Sequence, residues 1–143
     1  MSVNFLQGLH IAENFSVETK KDLAVLYSIS YLPNTKNRDM AYEYVKTHFG
    51  AKTLDDTPCG KELCDQGYAT TMDIASDDLK KIWHMASKRF IAAASGNITA
   101  FVEGADKRST FCSVEAPAIL KNANIKTING IDKHIFLKDF ILG

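Results

Sequence analysis

A chain of 143 residues, 45% hydrophobic and 24% charged, has the length and make-up of one ordinary globular domain. At this size it can bury roughly 70% of the surface its unfolded form exposes, so folding requires neither metal nor disulfide. Seventeen basic residues balance seventeen acidic ones, which speaks against a nucleic-acid partner, because such binders carry a basic excess that displaces phosphate counterions.

Cys59, Cys64 and Cys112 are too few, and odd in number, for a disulfide scaffold. With no histidine beside Cys59 and Cys64, a zinc site there would lack ligands, and no metal is expected. Free thiols suit a reducing compartment, so the chain is expected to act in a cytoplasm. No apolar run nears the ~20 residues of a membrane span. The N-terminal "MSVNFLQGLHIAENF" has neither the basic start nor the unbroken apolar stretch of a signal peptide.

In chain order, "SVETKKDLAVLYSISYL" (16–32) places Leu23, Leu26, Tyr27, Ser30 and Tyr31 at helical spacing and predicts a helix, ended by Pro33 and Asn34. "NRDMAYEYVKTHFG" (37–50) predicts a second, with Met40, Tyr44, Val45 and His48 near one face and Gly50 as its stop. "TLDDTPCGKELCDQGY" (53–68) is rich in turn formers and reads as loop holding one short helix. The strongest helix is "SDDLKKIWHMASKRFIAAASG" (76–96). Ser76 is its expected N-cap, Asp77 and Asp78 lie where the dipole favours acids, and Gly96 is its expected end. Leu79, Trp83, Ser87, Phe90 and Ala94 form its stripe.

Beyond Gly96 the period changes. "NITAFVEG" (97–104) alternates and predicts a strand. "SVEAPAILKNA" (113–123) predicts a short helix with Pro117 in its first turn, where proline is tolerated. "IKTING" (125–130) predicts a strand closed by an Asn-Gly turn, and "HIFLKDFIL" (134–142) a third strand. The expected fold class is α/β in a single domain, residues 1–143. A helical N-terminal half (about 1–95) packs on a small, mostly parallel sheet with crossing helices (about 96–143). Ligands of such sheets sit at the C-terminal ends of the strands, here near the loop 104–115.

That loop is the densest polar stretch, with Lys107, Arg108, Ser109, Thr110, Ser113 and Glu115 close together. Taken alone, it reads as a solvated loop that caps the next helix. There is no phosphate loop, no G-x-G-x-x-G and no H-E-x-x-H.

Two blocks change this reading. "WHMASKRFIAAA" (83–94) and "STFCSVE" (109–115) resemble the ADP-ribosyl cyclase/NAD glycohydrolase family through Trp83, Ser87, Arg89, Phe90, Ala93, Ala94, Gly104, Ser109, Thr110, Phe111, Ser113, Val114 and Glu115. "VLYSIS" (25–30) is similar to a family segment in which Tyr27 takes the place of an active-site Trp and Ser28 that of a phosphate-contacting Ser. Ile29 stands where the family has Arg. "TLDDT" (53–57) is similar to a segment that makes Asp55 the acid tuning cyclisation against hydrolysis. The family's several disulfides have no counterpart here. This cysteine-poor form resembles the C-terminal toxin domains of bacterial contact-dependent and related polymorphic toxins.

The resemblance implies an ADP-ribosyl cyclase-like fold and cleavage of the nicotinamide–ribose bond of NAD or NADP, as substrate and with no cofactor. Products would be nicotinamide and ADP-ribose, with some cyclic ADP-ribose as a side product. It implies catalytic roles for Glu115, Trp83, Tyr27 and Asp55, and substrate contacts from Ser28, Ser87, Arg89, Thr110 and Phe111. The chemistry suits these residue types. A carboxylate beneath the ribose stabilises the oxocarbenium-like state, and aromatic faces receive the cationic pyridinium ring. Glu115, at a helix start, is expected to be held ionised by the dipole. The toxin-like form further implies delivery into a target cytosol and a dedicated immunity protein as partner. Two other readings stay open: a tRNA-cleaving toxin using Lys107, Arg108, Lys133 and His134, and an inactive binder of NAD or ADP-ribose.

Overall fold

The computed structural model describes residues 5–28, 36–68, 77–103 and 111–141, with side chains as far as 138. The expected N-cap Ser76, the departure at Ile29 and the loop positions Gly104, Lys107, Arg108, Ser109 and Thr110 lie outside the described residues. The elements run α1 (Phe5–Asn14), β1 (Val25–Tyr27), α2 (Lys36–Thr47), a 3₁₀ turn (Leu54–Asp56), α3 (Pro58–Asp65), α4 (Asp77–Ala93) and β2 (Gly96–Phe101). They continue with a π-type turn (Phe111–Glu115), α5 (Ala116–Lys121), β3 (Ile125–Ile128), β4 (Ile131–Asp132) and α6 (Lys133–Ile141).

Among the described residues the strands form one sheet in the order β1-β2-β3-β4. β1 and β3 flank β2 in parallel, and β4 closes the edge antiparallel. The expected α/β class with a mostly parallel sheet is therefore observed. β2 alternates between buried and half-buried residues, as a strand between two unlike layers should. Ile98 and Ala100 face the main core with Leu26, Phe90, Ile91, Phe111, Ile119 and Ile125. Phe101 and Tyr27 turn to the opposite face, where α2 covers them through Ala41, Tyr44 and Val45.

Two elements differ in kind from the sequence reading. Residues 16–32 were expected to be helical, but Ala24–Tyr27 is extended: Val25, Leu26 and Tyr27 pair with Thr99, Ala100 and Phe101. An apolar run this short fits a buried strand or a helix equally, and pairing with β2 decides between them. The sheet thus draws a strand from the half expected to be helical. The segment 134–142, expected to be a strand, is largely α6. Asp132 Oδ1 accepts from the amides of His134 (2.8 Å) and Ile135 (3.3 Å), the signature of a helix N-cap.

Smaller differences lie at element ends. α1 falls within the half expected to be helical, although no separate helix was assigned there; its Ile11 and Ala12 are buried in the core shared with α4. Gly96 opens β2 at φ +76° and does not end α4. The carbonyls at the end of α4 are met instead by Asn122, whose Nδ2 donates to Ile91 O (2.8 Å) and Ala94 O (3.0 Å). The Asn129-Gly130 turn forms as expected, both residues at positive φ. The short helix expected within 53–68 is α3.

Candidate active site

The 3₁₀ turn that carries Asp55 is pinned on both sides. Asp56 Oδ2 accepts from Thr53 N (3.0 Å) and Thr53 Oγ1 (2.9 Å). Thr57 Oγ1 donates to Leu54 O (2.6 Å) and accepts from Gly60 N (3.1 Å), capping α3. Gly60 allows the close approach, since a Cβ there would stand 2.0 Å from Leu54 O and 2.7 Å from Asp55 Cα. Two phenols converge on the acid so held. Tyr27 Oη donates to Asp55 Oδ2 at 2.5 Å and Tyr42 Oη donates to the same oxygen at 3.1 Å. The two rings meet edge to face, centroids 5.8 Å apart. Burial, with the Asp55 charge adding to it, pushes the Tyr27 phenol far above its usual range, so Tyr27 stays a donor at any working pH.

Glu115 ends the π-type turn and precedes Pro117 of α5. Such turns are rare and recur at functional sites. Its side chain is buried, with 7% of its surface exposed. Burial first, and the negative charge of Asp55 second, push its carboxyl up to about 8. The expectation that a helix dipole holds Glu115 ionised is thus corrected. α5 spans six residues, and Glu115 makes no side-chain capping bond to it. Desolvation outweighs so short a dipole.

Trp83 and Ser87 stand one turn apart on α4, which packs against both the Asp55 turn and the Glu115 turn. The indole Nε1 donates to Tyr68 O at 2.7 Å and fixes the half-buried ring. Ser87 is buried. Ser28, also buried, follows Tyr27, and its carbonyl accepts from Asn37 Nδ2 (3.0 Å). Phe111 is a core side chain. Arg89 is engaged elsewhere: Nη1 donates to Ala12 O (2.5 Å) and Phe15 O (2.9 Å) at the end of α1. Capping that helix is the role the structure shows for it.

Asp55 and Tyr27 are therefore brought together by a hydrogen bond, the Asp55 charge reaches Glu115, and α4, which carries Trp83 and Ser87, packs against both turns. Tyr42 was missed from sequence. No sequence pattern marked it; its ring is placed against that of Tyr27 by the packing of α2 on the sheet. Lys133, counted toward a nuclease site, is buried, and its Nζ donates to Ile119 O (3.1 Å) and Asn122 O (2.8 Å). It is thereby withdrawn from any solvent-facing basic cluster. Cys59, Cys64 and Cys112 are unbridged. Burial, then the charges of Asp55 and Asp65, hold the Cys64 thiol above its usual range and disfavour a thiolate nucleophile. Among the described residues no group of His, Cys, Asp and Glu is arranged to hold a metal ion. A cleft of about 510 Å³ opens between α2 and α6 at the end of β2, lined by Met40, Phe101, Glu103, Ile135 and Phe136 among others. None of the expected site residues lines it.

No protein-family model matches the sequence, and no curated protein does. Solved structures match. Aplysia cyclase in complex with substrate NGD and product cGDPR superposes with a TM-score of 0.57 at 16% identity, over 87% of this chain and 61% of that one. Porcine CD38 carrying a covalent intermediate gives 0.55 at 18% identity, over 85% and 66%. An ADP-ribosyl cyclase complexed with N1-cIDPR gives 0.59 at 14%, over 95% and 72%. The fold is that of the ADP-ribosyl cyclases. The chain spans 61% of the length of the Aplysia enzyme. Among the described residues no helix is long and apolar enough to cross a membrane.

Proposed function

We propose that this domain cleaves the nicotinamide–ribose bond of NAD or NADP, releasing nicotinamide and ADP-ribose with some cyclic ADP-ribose as a side product. The observation that carries the reading is the buried Glu115, raised to about 8 beside Asp55. Burial and the negative charge of Asp55 disfavour the ionised form of Glu115, and a cationic ligand relieves that cost.

Binding of a pyridinium substrate would drive the Glu115 proton off and leave a carboxylate beneath the ribose. The leaving nicotinamide takes the bonding electron pair and is neutral once released, so no general acid is needed. Glu115 then stabilises the electron-poor anomeric carbon as an ion pair or through a carboxylate–ribosyl bond. Water attacks that carbon and gives up a proton. Porcine CD38, a protein of the same fold, carries a covalent intermediate in its solved structure, which supports this order.

In this reading Tyr27 and Trp83 supply aromatic faces for the nicotinamide ring. Ser28, Ser87, Thr110 and the Phe111 amide contact the diphosphate, and Asp55 tunes the fate of the intermediate. We infer further that the domain acts as a toxin in a target cytoplasm, where NAD loss is harmful, with an immunity protein as partner. The free cysteines suit that compartment. Release of nicotinamide from NAD and from NADP by the purified domain tests the activity. Absence of release from both would refute it.

A further inference from the structure

Asp55 is half-buried on a single 3₁₀ turn, and its carboxylate has side-chain torsions that the turn itself does not fix. Two donors from separate layers fix them. Tyr27 comes from the sheet. Tyr42 comes from α2, which Ala41 and Tyr44 seat against the opposite face of that sheet. Both hydroxyls bond Oδ2, so among the described residues Oδ1 is the oxygen left to a ligand. Tyr42 is 38% exposed, so its ring lies at the rim while its hydroxyl reaches inward. The titratable groups acting in this corner are Tyr27 on β1, Tyr42 on α2 with Arg38 beyond it, Cys64 on α3 and Glu115 after the π-type turn.

We propose that Tyr42 is a positioning residue of the site, holding Asp55 in one orientation and partly compensating its charge as seen by Glu115. Its effect on turnover rests on the glycohydrolase reading, although the contact itself does not. Removing only the hydroxyl leaves the ring contact with Tyr27 in place, so Tyr42→Phe is compatible with folding. The Asp55 charge then loses one compensating donor, and the field at Glu115 becomes more negative.

The Glu115 carboxyl is followed by ¹³C NMR, its resonance assigned by its disappearance in Glu115→Gln. Tyr42→Phe is expected to move the Glu115 midpoint upward by about 0.5 pH unit or more, because hydrogen bonds to charged groups are among the stronger ones. Tyr44→Phe, on the same helix but bonded to Thr99 (3.4 Å), is expected to leave it in place. In Asp55→Asn the further change Tyr42→Phe should have no effect, since the route through Asp55 is already gone. A Tyr42→Phe midpoint equal to or below wild type, or full additivity with Asp55→Asn, overturns the role. The titration uses no substrate, so failure to consume NAD would sink the glycohydrolase reading while leaving this one to be decided.

Discussion

Tyr27 Oη lies 2.5 Å from Asp55 Oδ2, joining the end of β1 to a turn 28 positions along the chain. That bond holds the Asp55 carboxylate, whose charge is the second cause, after burial, of the raised pKa of Glu115. The titration of Glu115 is then the property through which the corner works.

Because the free domain holds Glu115 protonated up to about 8, the form able to stabilise a cation is scarce at low pH. The kcat/KM for NAD should therefore rise with pH to a midpoint near 8. Asp55→Asn removes a negative charge that disfavours ionisation, so its midpoint should fall. A profile flat from pH 5 to 9, or an upward shift in Asp55→Asn, would contradict the coupling.

The same shift has a cost in stability. The folded-state value of Glu115 is raised from 4.5 to about 8, so the native state retains a proton that the unfolded chain releases. The stability contributed by the neutral acid is fully present below about 4.5 and is lost as pH rises through 8. Glu115→Gln stays neutral throughout. It should match wild type near pH 4.5 and exceed it above pH 8 by roughly 2–4 kcal/mol. Thermal melts across this range check it, and a constant difference in Tm would argue against a desolvated acid.

Gly60→Ala should act on Asp55 without touching it. The added methyl meets Leu54 backbone at 2.0 Å and must push the 3₁₀ turn away from α3. A loss of about 1–3 kcal/mol is expected, together with a shifted pH midpoint for Glu115 as Asp55 moves. Unchanged melting and an unchanged midpoint would show that the close approach is not needed.

Arg89→Met separates a structural role from a phosphate contact. Loss of two bonds to the end of α1 should lower stability by about 1.5–3 kcal/mol while the KM for NAD stays within about twofold at a temperature where the variant is folded. A tenfold or larger rise in KM with normal melting would restore the phosphate role.

The elements with long, regular patterns were legible in sequence. The stripe of α4, the alternation of β2 and the Asn-Gly turn all stand where residue periodicity puts them. β1 was not legible, because Ala24–Tyr27 carries one short apolar run whose partners lie more than 70 residues away. α6 was misread because its apolar run "IFL" hides the Asp132 cap that starts it. Glu115 and Asp55 were found through short blocks of similarity, and nothing local marks them as neighbours. Tyr42 lies in no such block, and only the packing of α2 on the sheet brings it to Asp55.

The central claim is that Glu115 carries the bond cleavage. Nicotinamide release from NAD is compared between wild type and Glu115→Gln at pH 8, with both confirmed folded. Loss of at least roughly 10²–10³-fold in kcat is predicted, the scale of removing a principal electrostatic stabiliser. Equal rates in the two proteins would contradict it.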